Sequence, residues 1–203
     1  VDIDPDTWNI SIESLENKLK IAKKKKKLPK LIIIVHLGGL PVNPVRLRNL
    51  SKKYKFKIIE DASHSFGGKY CFKRVGCSKL SDITVFSFHP VKIITTGEGG
   101  AALTNNDEIA NKLRQHRSHG ITSNSNEMIQ RPKKELWNYQ QITLGYNYRM
   151  TDICAALGIS QMKRLSEIVS KRHAIARRYD KELSSLPLST PWQHPDTFSS
   201  YHL

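Results

Sequence analysis

The sequence has few cysteines, no long apolar run and no leader-like opening. Its three cysteines, Cys71, Cys77 and Cys154, form an odd and sparse set that fits a reducing compartment better than a disulfide framework. No apolar run reaches the ~18 residues of a membrane-spanning helix, and the opening VDIDPDTWNI lacks both the basic and the apolar region of a signal peptide. We therefore expect a cytoplasmic protein with no membrane contact. The spacing of Cys71 and Cys77, without a second cysteine pair, also argues against a zinc site.

Acidic residues are scarce as well, since 18 Asp and Glu face 33 Lys and Arg, for a net charge of +15 at pH 7. A basic surface attracts nucleic acid without regard to sequence. The charge is concentrated in KIAKKKKKLPK, at the end of a helical pattern, and no helix-turn-helix, zinc-finger or aromatic RNA-binding signature accompanies it. We favour a solvated basic face and expect no nucleic-acid partner, with a non-catalytic, nucleic-acid-binding fragment as the alternative.

The first half of the chain alternates between helix and strand patterns. Ser11 is a helix N-cap candidate, and apolar residues follow it at helical spacing: Ile12, Leu15, Leu19 and Ala22. The continuous run KLIIIVH is typical of a strand buried on both faces. A turn, a short helix and a second such strand, KFKIIED, come next. Strand, helix and strand at this spacing predict an α/β fold with a mostly parallel sheet and flanking helices.

The second half continues the pattern and then becomes helical. ITVFSF and GAALTN predict two more strands, and DEIANKLRQHRSHG predicts a helix closed by Gly120. Residues 121–146 are too long for a plain connector, so we expect them to carry function or to cover a site. Residues 151–186 predict one long helix or a helix pair. Its core-facing stripe would be Ile153, Ala156, Leu157, Met162, Leu165, Ile168 and Val169.

These patterns suggest a division into three parts. We assign residues 1–150 to a large domain, 151–188 to linking helices and 189–203 to the start of a smaller domain. The chain starts and stops in strand-like segments, so we expect an internal fragment of a longer protein.

Two predicted strands end on unusual residues. One runs into Asp61 and His64, and the other runs into Ser87 and then Lys92. Ligands of open parallel sheets bind beyond the carboxyl ends of the strands, so neighbouring strands would bring these side chains to one crevice. A lysine amine can bind an aldehyde, an aspartate can hold a pyridine nitrogen and a serine can donate to a phosphate. Pyridoxal 5'-phosphate carries all three groups, although each residue also has an ordinary reading as a cap, turn or surface residue.

Longer motifs sharpen this hypothesis. The segments EDASHSFGGKY, SFHPVK followed by ITTGEGG, RQHRSHGI, and YQQ before LGYNYRMTDI occur in that order. Together they resemble the sugar aminotransferases of the DegT/DnrJ/EryC1/StrS family over essentially the whole chain. The resemblance implies the type I fold of pyridoxal phosphate-dependent transferases, the aspartate aminotransferase-like fold, here truncated at both ends. The family's dehydratase branch has a histidine at the lysine position, where this sequence has Lys92.

The resemblance also implies roles for single residues. Lys92 matches the lysine that binds the cofactor and moves the proton, and Asp61 matches the partner of the pyridine nitrogen. His64 lies where the family contacts the cofactor ring, and Ser87 matches a phosphate-binding hydroxyl. Asn147 matches an asparagine that reaches the phosphate of a neighbouring subunit, which implies a homodimer with shared active sites. His89, Tyr148 and Arg149 lie near these matches and receive no role.

The reaction implied by the resemblance has two substrates. The amino group would come from an amino acid, glutamate by preference, and the acceptor would be a UDP-linked 4-keto-6-deoxy-N-acetyl sugar. Another keto nucleotide sugar is the alternative acceptor. By this resemblance we expect the family's upstream phosphate turn to lie outside this chain and only the start of its C-terminal small domain to be included.

Overall fold

A four-stranded sheet lies in the larger of two compact units. The computed structural model describes residues 1–77, 80–129 and 137–203. The larger unit comprises Val1–Leu103 with Asp152–Leu203, and the smaller unit comprises Thr104–Thr151. The helices are α1 (Ile12–Lys24), α2 (Pro44–Tyr54), α3 (Asp107–Arg117), α4 (Asp152–Lys163) and α5 (Leu165–Glu182). The strands are β1 (Leu31–Val35), β2 (Lys57–Asp61), β3 (Lys69–Tyr70), β4 (Lys73–Arg74), β5 (Ile83–Ser87), β6 (Gly100–Leu103), β7 (Ile121–Thr122), β8 (Gln140–Gln141) and β9 (Thr197–Phe198).

The sheet has the order β1-β2-β5-β6. β1 pairs with β2 and β2 with β5 in parallel, whereas β5 and β6 are antiparallel. The predicted α/β fold with a mostly parallel sheet is confirmed. The register places Val35 beside Asp61 and Asp61 beside Val85, so β1, β2 and β5 end at the same edge.

Helices α1 and α2 cover one face of this sheet. Ser11 caps α1 by accepting a hydrogen bond from the amide of Ser14, and Asn43 caps α2 through the amides of Val45 and Arg46. The core between helices and sheet consists of apolar residues at helical and alternating spacing: Ile12, Leu15, Leu19, Ile34, Val42, Leu47, Leu50, Tyr54, Phe56 and Ile58. The stripe predicted for α1 is confirmed at its three leucine and isoleucine positions, each less than a tenth exposed.

The other face of β1 does not follow the prediction. Ile34 is 1% exposed, but its neighbour Ile33 is 60% exposed. Successive side chains of a strand point to opposite faces, and both helices lie on the face of Ile34. The expectation of a strand buried on both faces was wrong for β1, because a continuous apolar run looks the same whether or not a second layer covers it.

The predicted helical region 151–186 forms the pair α4 and α5, which meet at Arg164. The predicted stripe was wrong for α4, where Ile153 is 85% exposed and Met162 is 55% exposed. Gly158 is the buried residue of α4, so a small residue faces the body of the unit and the large apolar side chains face outward. In α5 the stripe holds, since Val169 is buried and Leu165 and Ile168 pack with it. None of the helices in the described part of the chain combines the length and apolarity that a bilayer crossing requires.

The last residues of the chain return to the larger unit. β9 pairs antiparallel with β3, which also pairs with β4. His173 of α5 stacks on Phe198 with ring centroids 4.1 Å apart, and its Nε2 lies 2.7 Å from the carbonyl oxygen of Ser199. This packing holds residues 199–202, which we call the C-terminal strap, against α5.

The smaller unit contains α3 and the two-stranded β7-β8 sheet. Asn106 caps α3 by accepting a hydrogen bond from the amide of Ile109. The helix ends at Arg117, and Gly120 follows with a φ of 66° and a backbone hydrogen bond to the carbonyl of Gln115. The segment 121–146, predicted to carry function or to cover a site, includes β7 and β8, and its residues 130–136 lie outside the described residues.

Candidate active site

The site lies at the carboxyl ends of β2 and β5. Asp61 is the last residue of β2, and Ser87 is the last residue of β5. Asp61 pairs with Val85, so Ser87 is two residues further along the neighbouring strand. This is the edge at which parallel α/β sheets bind their ligands.

The two acids at the end of β2 have different surroundings. Glu60 is buried on the helix-covered face, where it accepts hydrogen bonds from the hydroxyls of Thr84 and Ser81 at 2.7 and 3.1 Å. Asp61 points to the opposite face and is half-buried. Its Oδ1 accepts hydrogen bonds from both the amide and the hydroxyl of Ser63, at 3.1 and 2.6 Å. These bonds orient the Asp61 carboxylate and leave its other oxygen available to a ligand.

Lys92 lies in a tight loop that follows β5. Its backbone amide donates to the carbonyl of His89 at 3.0 Å, and the loop closes where Thr95 and Thr96 both donate to the carbonyl of Phe88. The next two residues, Ile93 and Ile94, are buried with Val169 of α5. Lys92 thus extends from a loop that buried apolar side chains hold in place. Its side chain forms no ion pair with any residue that the structure describes.

Ser87, the last residue of β5, directly precedes this loop. Its Oγ accepts a long hydrogen bond, 3.4 Å, from the amide of His89. A hydroxyl can donate and accept at once, so the Ser87 proton stays available for an anionic group.

The charges of Lys92 and Asp61 both act on His64. Burial lowers its pKa, the positive charge of Lys92 lowers it further, and the carboxylate of Asp61 acts in the opposite direction. The structure therefore brings Asp61, His64 and Lys92 into one electrostatic neighbourhood. The imidazole of His64 is neutral at pH 7, and its Nδ1 is buried without a hydrogen-bond partner in the described part of the chain.

His202 is a further member that the sequence analysis missed. Its ring centroid lies 4.4 Å from that of His64, and 8% of the residue is exposed. Burial lowers the pKa of His202 to about 4, with additional contributions from His64, Lys92 and Arg172. Its Nδ1 is also buried without a partner among the described residues. Two neutral imidazoles with unpartnered Nδ1 atoms thus lie side by side, and the charge of Lys92 acts on both.

The C-terminal strap brings His202 to this place. The Ser200 hydroxyl donates to the carbonyl of His64 at 2.7 Å, and the His202 amide donates to the carbonyl of Gly38 at 2.9 Å. Arg172 of α5 donates to the carbonyls of Tyr201 and His202. The contact between Ser200 and His64 joins residues 136 positions apart, and no local pattern in SSYHL indicates it.

Asn147 belongs to the smaller unit. It is exposed, its backbone bridges Ser118, and its Oδ1 accepts a hydrogen bond from Arg149 at 3.4 Å. Next to it Tyr146 and Tyr148 stack with ring centroids 4.8 Å apart. The Asn147 side chain, which lies between these tyrosines in sequence, is exposed and therefore accessible to another molecule.

The two cysteines considered for a zinc site lie at the surface. Cys77 Sγ lies 2.7 Å from the carbonyl oxygen of Arg74, and Cys71 and Cys77 are both exposed. Across residues 1–77, 80–129 and 137–203 no three metal-ligating side chains form a group.

The chain belongs to the DegT/DnrJ/EryC1/StrS aminotransferase family, whose model matches residues 1–203. It is 46% identical over 151 residues to the UDP-4-amino-4,6-dideoxy-N-acetyl-beta-L-altrosamine transaminase of Campylobacter jejuni, which covers 74% of this chain and 37% of the relative. The structure is similar to that of a family aminotransferase from Brucella abortus, with a TM-score of 0.85 and 30% identity over all of this chain and 50% of the other.

A second similar structure comes from Helicobacter pylori. Helicobacter pylori PseC, an aminotransferase involved in the biosynthesis of pseudoaminic acid, matches with a TM-score of 0.83 and 32% identity over 99% of this chain and 50% of the other. The chain thus spans about half the length of these relatives or less. The predicted sugar-aminotransferase family and its fold are confirmed.

Proposed function

We propose that this chain forms the lysine-bearing part of a pyridoxal phosphate-dependent aminotransferase. The enzyme would move an amino group from an amino acid, glutamate by preference, to a UDP-linked 4-keto-6-deoxy-N-acetyl sugar. The observation that carries the proposal is the cluster of Asp61, His64 and Lys92 beside the end of β5, in a chain of a sugar aminotransferase family. The sugar follows from the names of the Campylobacter and Helicobacter relatives.

The side chains fit this cofactor in number and kind. Lys92 supplies a primary amine that forms no ion pair with a described residue, and Asp61 supplies an oriented carboxylate. The Nδ1 atoms of His64 and His202 are buried and have no hydrogen-bond partner among the described residues. Because buried polar atoms normally have partners, these two atoms favour a polar ligand here. Ser87 offers a hydroxyl proton for a phosphate oxygen.

Each residue then has a distinct task. The bound cofactor would supply a reactive aldehyde and an electron-withdrawing ring. Lys92 would bind the cofactor through its amine and, once released, would carry a proton between substrate and cofactor carbons as a general base. The negative charge of Asp61 would stabilise a protonated ring nitrogen. Neutral His64 and His202 would contact the ligands without adding charge to the pocket.

Trapping the lysine tests the assignment. Borohydride reduction of the purified protein in the presence of pyridoxal phosphate, followed by peptide mapping, should label Lys92 and leave other lysines largely unlabelled. Lys92→Ala is the control that should lose the label. Label at a different lysine would overturn the site. Incubation with glutamate and a panel of keto nucleotide sugars, with products identified by mass, then separates the proposed acceptor from the alternative ones.

We also infer a cytoplasmic homodimer in which Asn147 serves the partner's site. The exposed amide of Asn147 supports this role. Lys92→Ala and Asn147→Ala proteins, each impaired alone, should regain activity when mixed, because a mixed dimer has one site with both native residues. No recovery in a mixture shown to exchange subunits would contradict shared sites.

A further inference from the structure

Helix α4 approaches the loop of Lys92 through a glycine. Gly158 is buried, and a Cβ atom built on it would lie 2.7 Å from Cγ2 of Thr96, whereas ordinary contacts begin near 3.4 Å. Alanine is the better helix former, and Gly158 lies in the middle of a twelve-residue helix. The glycine therefore serves the close approach of the α4 backbone to the Thr96 side chain rather than the helix itself.

Thr96 is the residue that closes the lysine loop. It is 3% exposed, its amide donates to the carbonyl of Phe88 at 3.0 Å, and its hydroxyl donates to the carbonyl of Glu98 at 2.7 Å. Phe88 and Thr96 are thus the two ends of the turn that carries Lys92. A displacement of Thr96 moves one end of this turn.

The segment just before Thr96 is held in place by apolar packing. Ile93 and Ile94, between Lys92 and Thr96, are buried with Val169 of α5, and α5 follows α4 directly. A Cβ atom at position 158 therefore requires α4, the Thr96 side chain or the loop of Lys92 to shift.

We propose that Gly158 is a positioning residue for Lys92. By allowing α4 to lie against Thr96, it sets where the lysine loop stands at the end of β5. The proposal rests on the proposed function, since it takes Lys92 as the reacting amine. A methyl group at position 158 requires a shift of several tenths of an ångström, and a misplacement of ~1 Å at a reacting group costs ~10²-fold in rate.

A double-substitution experiment tests this contact. Gly158→Ala should lower kcat by roughly 10- to 100-fold with a smaller change in KM. Thr96→Ser removes the methyl group that the new Cβ would meet and keeps the hydroxyl bond to Glu98, so adding it to Gly158→Ala should restore most of the rate. Ser160→Ala, which introduces alanine at an exposed position of the same helix, is the matched control. Loss that Thr96→Ser does not restore, or full activity of Gly158→Ala, would overturn the proposal.

A second readout does not depend on turnover. Limited reductive methylation of the cofactor-free protein, with peptide mapping, gives the reactivity of Lys92 relative to the exposed Lys18. Gly158→Ala should change this ratio several-fold and the double variant should return it. If Gly158→Ala does not yield folded protein, Thr96→Val replaces it, because valine loses the hydrogen bond to the carbonyl of Glu98. Thr96→Val should then change the reactivity of Lys92 relative to Lys18, and an unchanged ratio would refute the proposal. Failure of borohydride to trap Lys92 in the unsubstituted protein would instead refute the proposed function.

Discussion

Acid should destabilise this protein through His202, and the size of the effect can be worked out. The pKa of His202 is about 4 in the folded chain, against an ordinary value of 6.5. Between these values the unfolded chain takes up a proton that the folded chain rejects, so stability is complete above pH 6.5 and falls as the pH drops toward 4. At ~1.4 kcal/mol per pH unit the largest possible loss is ~3 kcal/mol.

At pH 5 the two-state linkage relation gives a loss of up to ~2 kcal/mol relative to pH 7.5. Water entering a pocket so near the surface reduces the cost of the buried charge, so we expect about 1 to 2 kcal/mol. His36 and His64 also have lowered pKa values because of burial, and they add to the total in the same direction.

Urea unfolding at pH 7.5 and pH 5.0 measures this contribution. His202→Gln cannot take up the proton, so its loss of stability between the two pH values should be smaller than that of the unsubstituted protein by about 1 to 2 kcal/mol. His36 is unchanged in this comparison, so its contribution cancels. His89→Gln, which removes an exposed imidazole, gives the baseline. Equal losses for His202→Gln and the unsubstituted protein would refute the burial argument.

Two further substitutions probe the carboxylate and the strap. Asp61→Asn keeps an oxygen for the Ser63 hydrogen bonds and removes the negative charge. The kcat should therefore fall on the order of 10²-fold while cofactor absorbance persists. Unchanged turnover would contradict the role of Asp61. Gly39 has a φ of 96°, and a Cβ there would lie 2.5 Å from Ser200 Oγ, so Gly39→Ala should cost ~2–3 kcal/mol of unfolding free energy. Gly38→Ala, with a φ of 62° and open space around its Cβ, should cost only ~1–2 kcal/mol, and equal costs would exclude a steric role for Ser200.

Local patterns predicted the parts of the molecule that local forces determine. The Ser11 cap and the spacing of Leu15 and Leu19 predicted α1, because a helix buries one stripe. Asp61 and Ser87 were predicted at neighbouring strand ends, because parallel strands end at one edge of a sheet. The antiparallel direction of β6 was not predicted, since the composition of a four-residue strand is the same in either direction.

What the sequence could not show depends on distant partners. His202 meets His64 through a strap that is far away in the chain. The stripe of α4 was assigned to its large apolar residues, yet the helix turns Gly158 inward because the Thr96 side chain leaves no room for a Cβ atom there. Hydrophobic periodicity counts apolar area and cannot detect a position where the absence of a side chain is required.

Strand β1, which is covered on the face of Ile34 and exposed on the face of Ile33, follows a lysine-rich segment. An edge strand with the apolar sequence LIIIV is a template for pairing with another copy, and natural proteins guard such edges with charge. Lys23–Lys27 and Lys30 come directly before β1. Two chains that paired their β1 edges in parallel would bring these like charges together, so the cationic cluster disfavours that pairing, and salt that screens the charges weakens this effect.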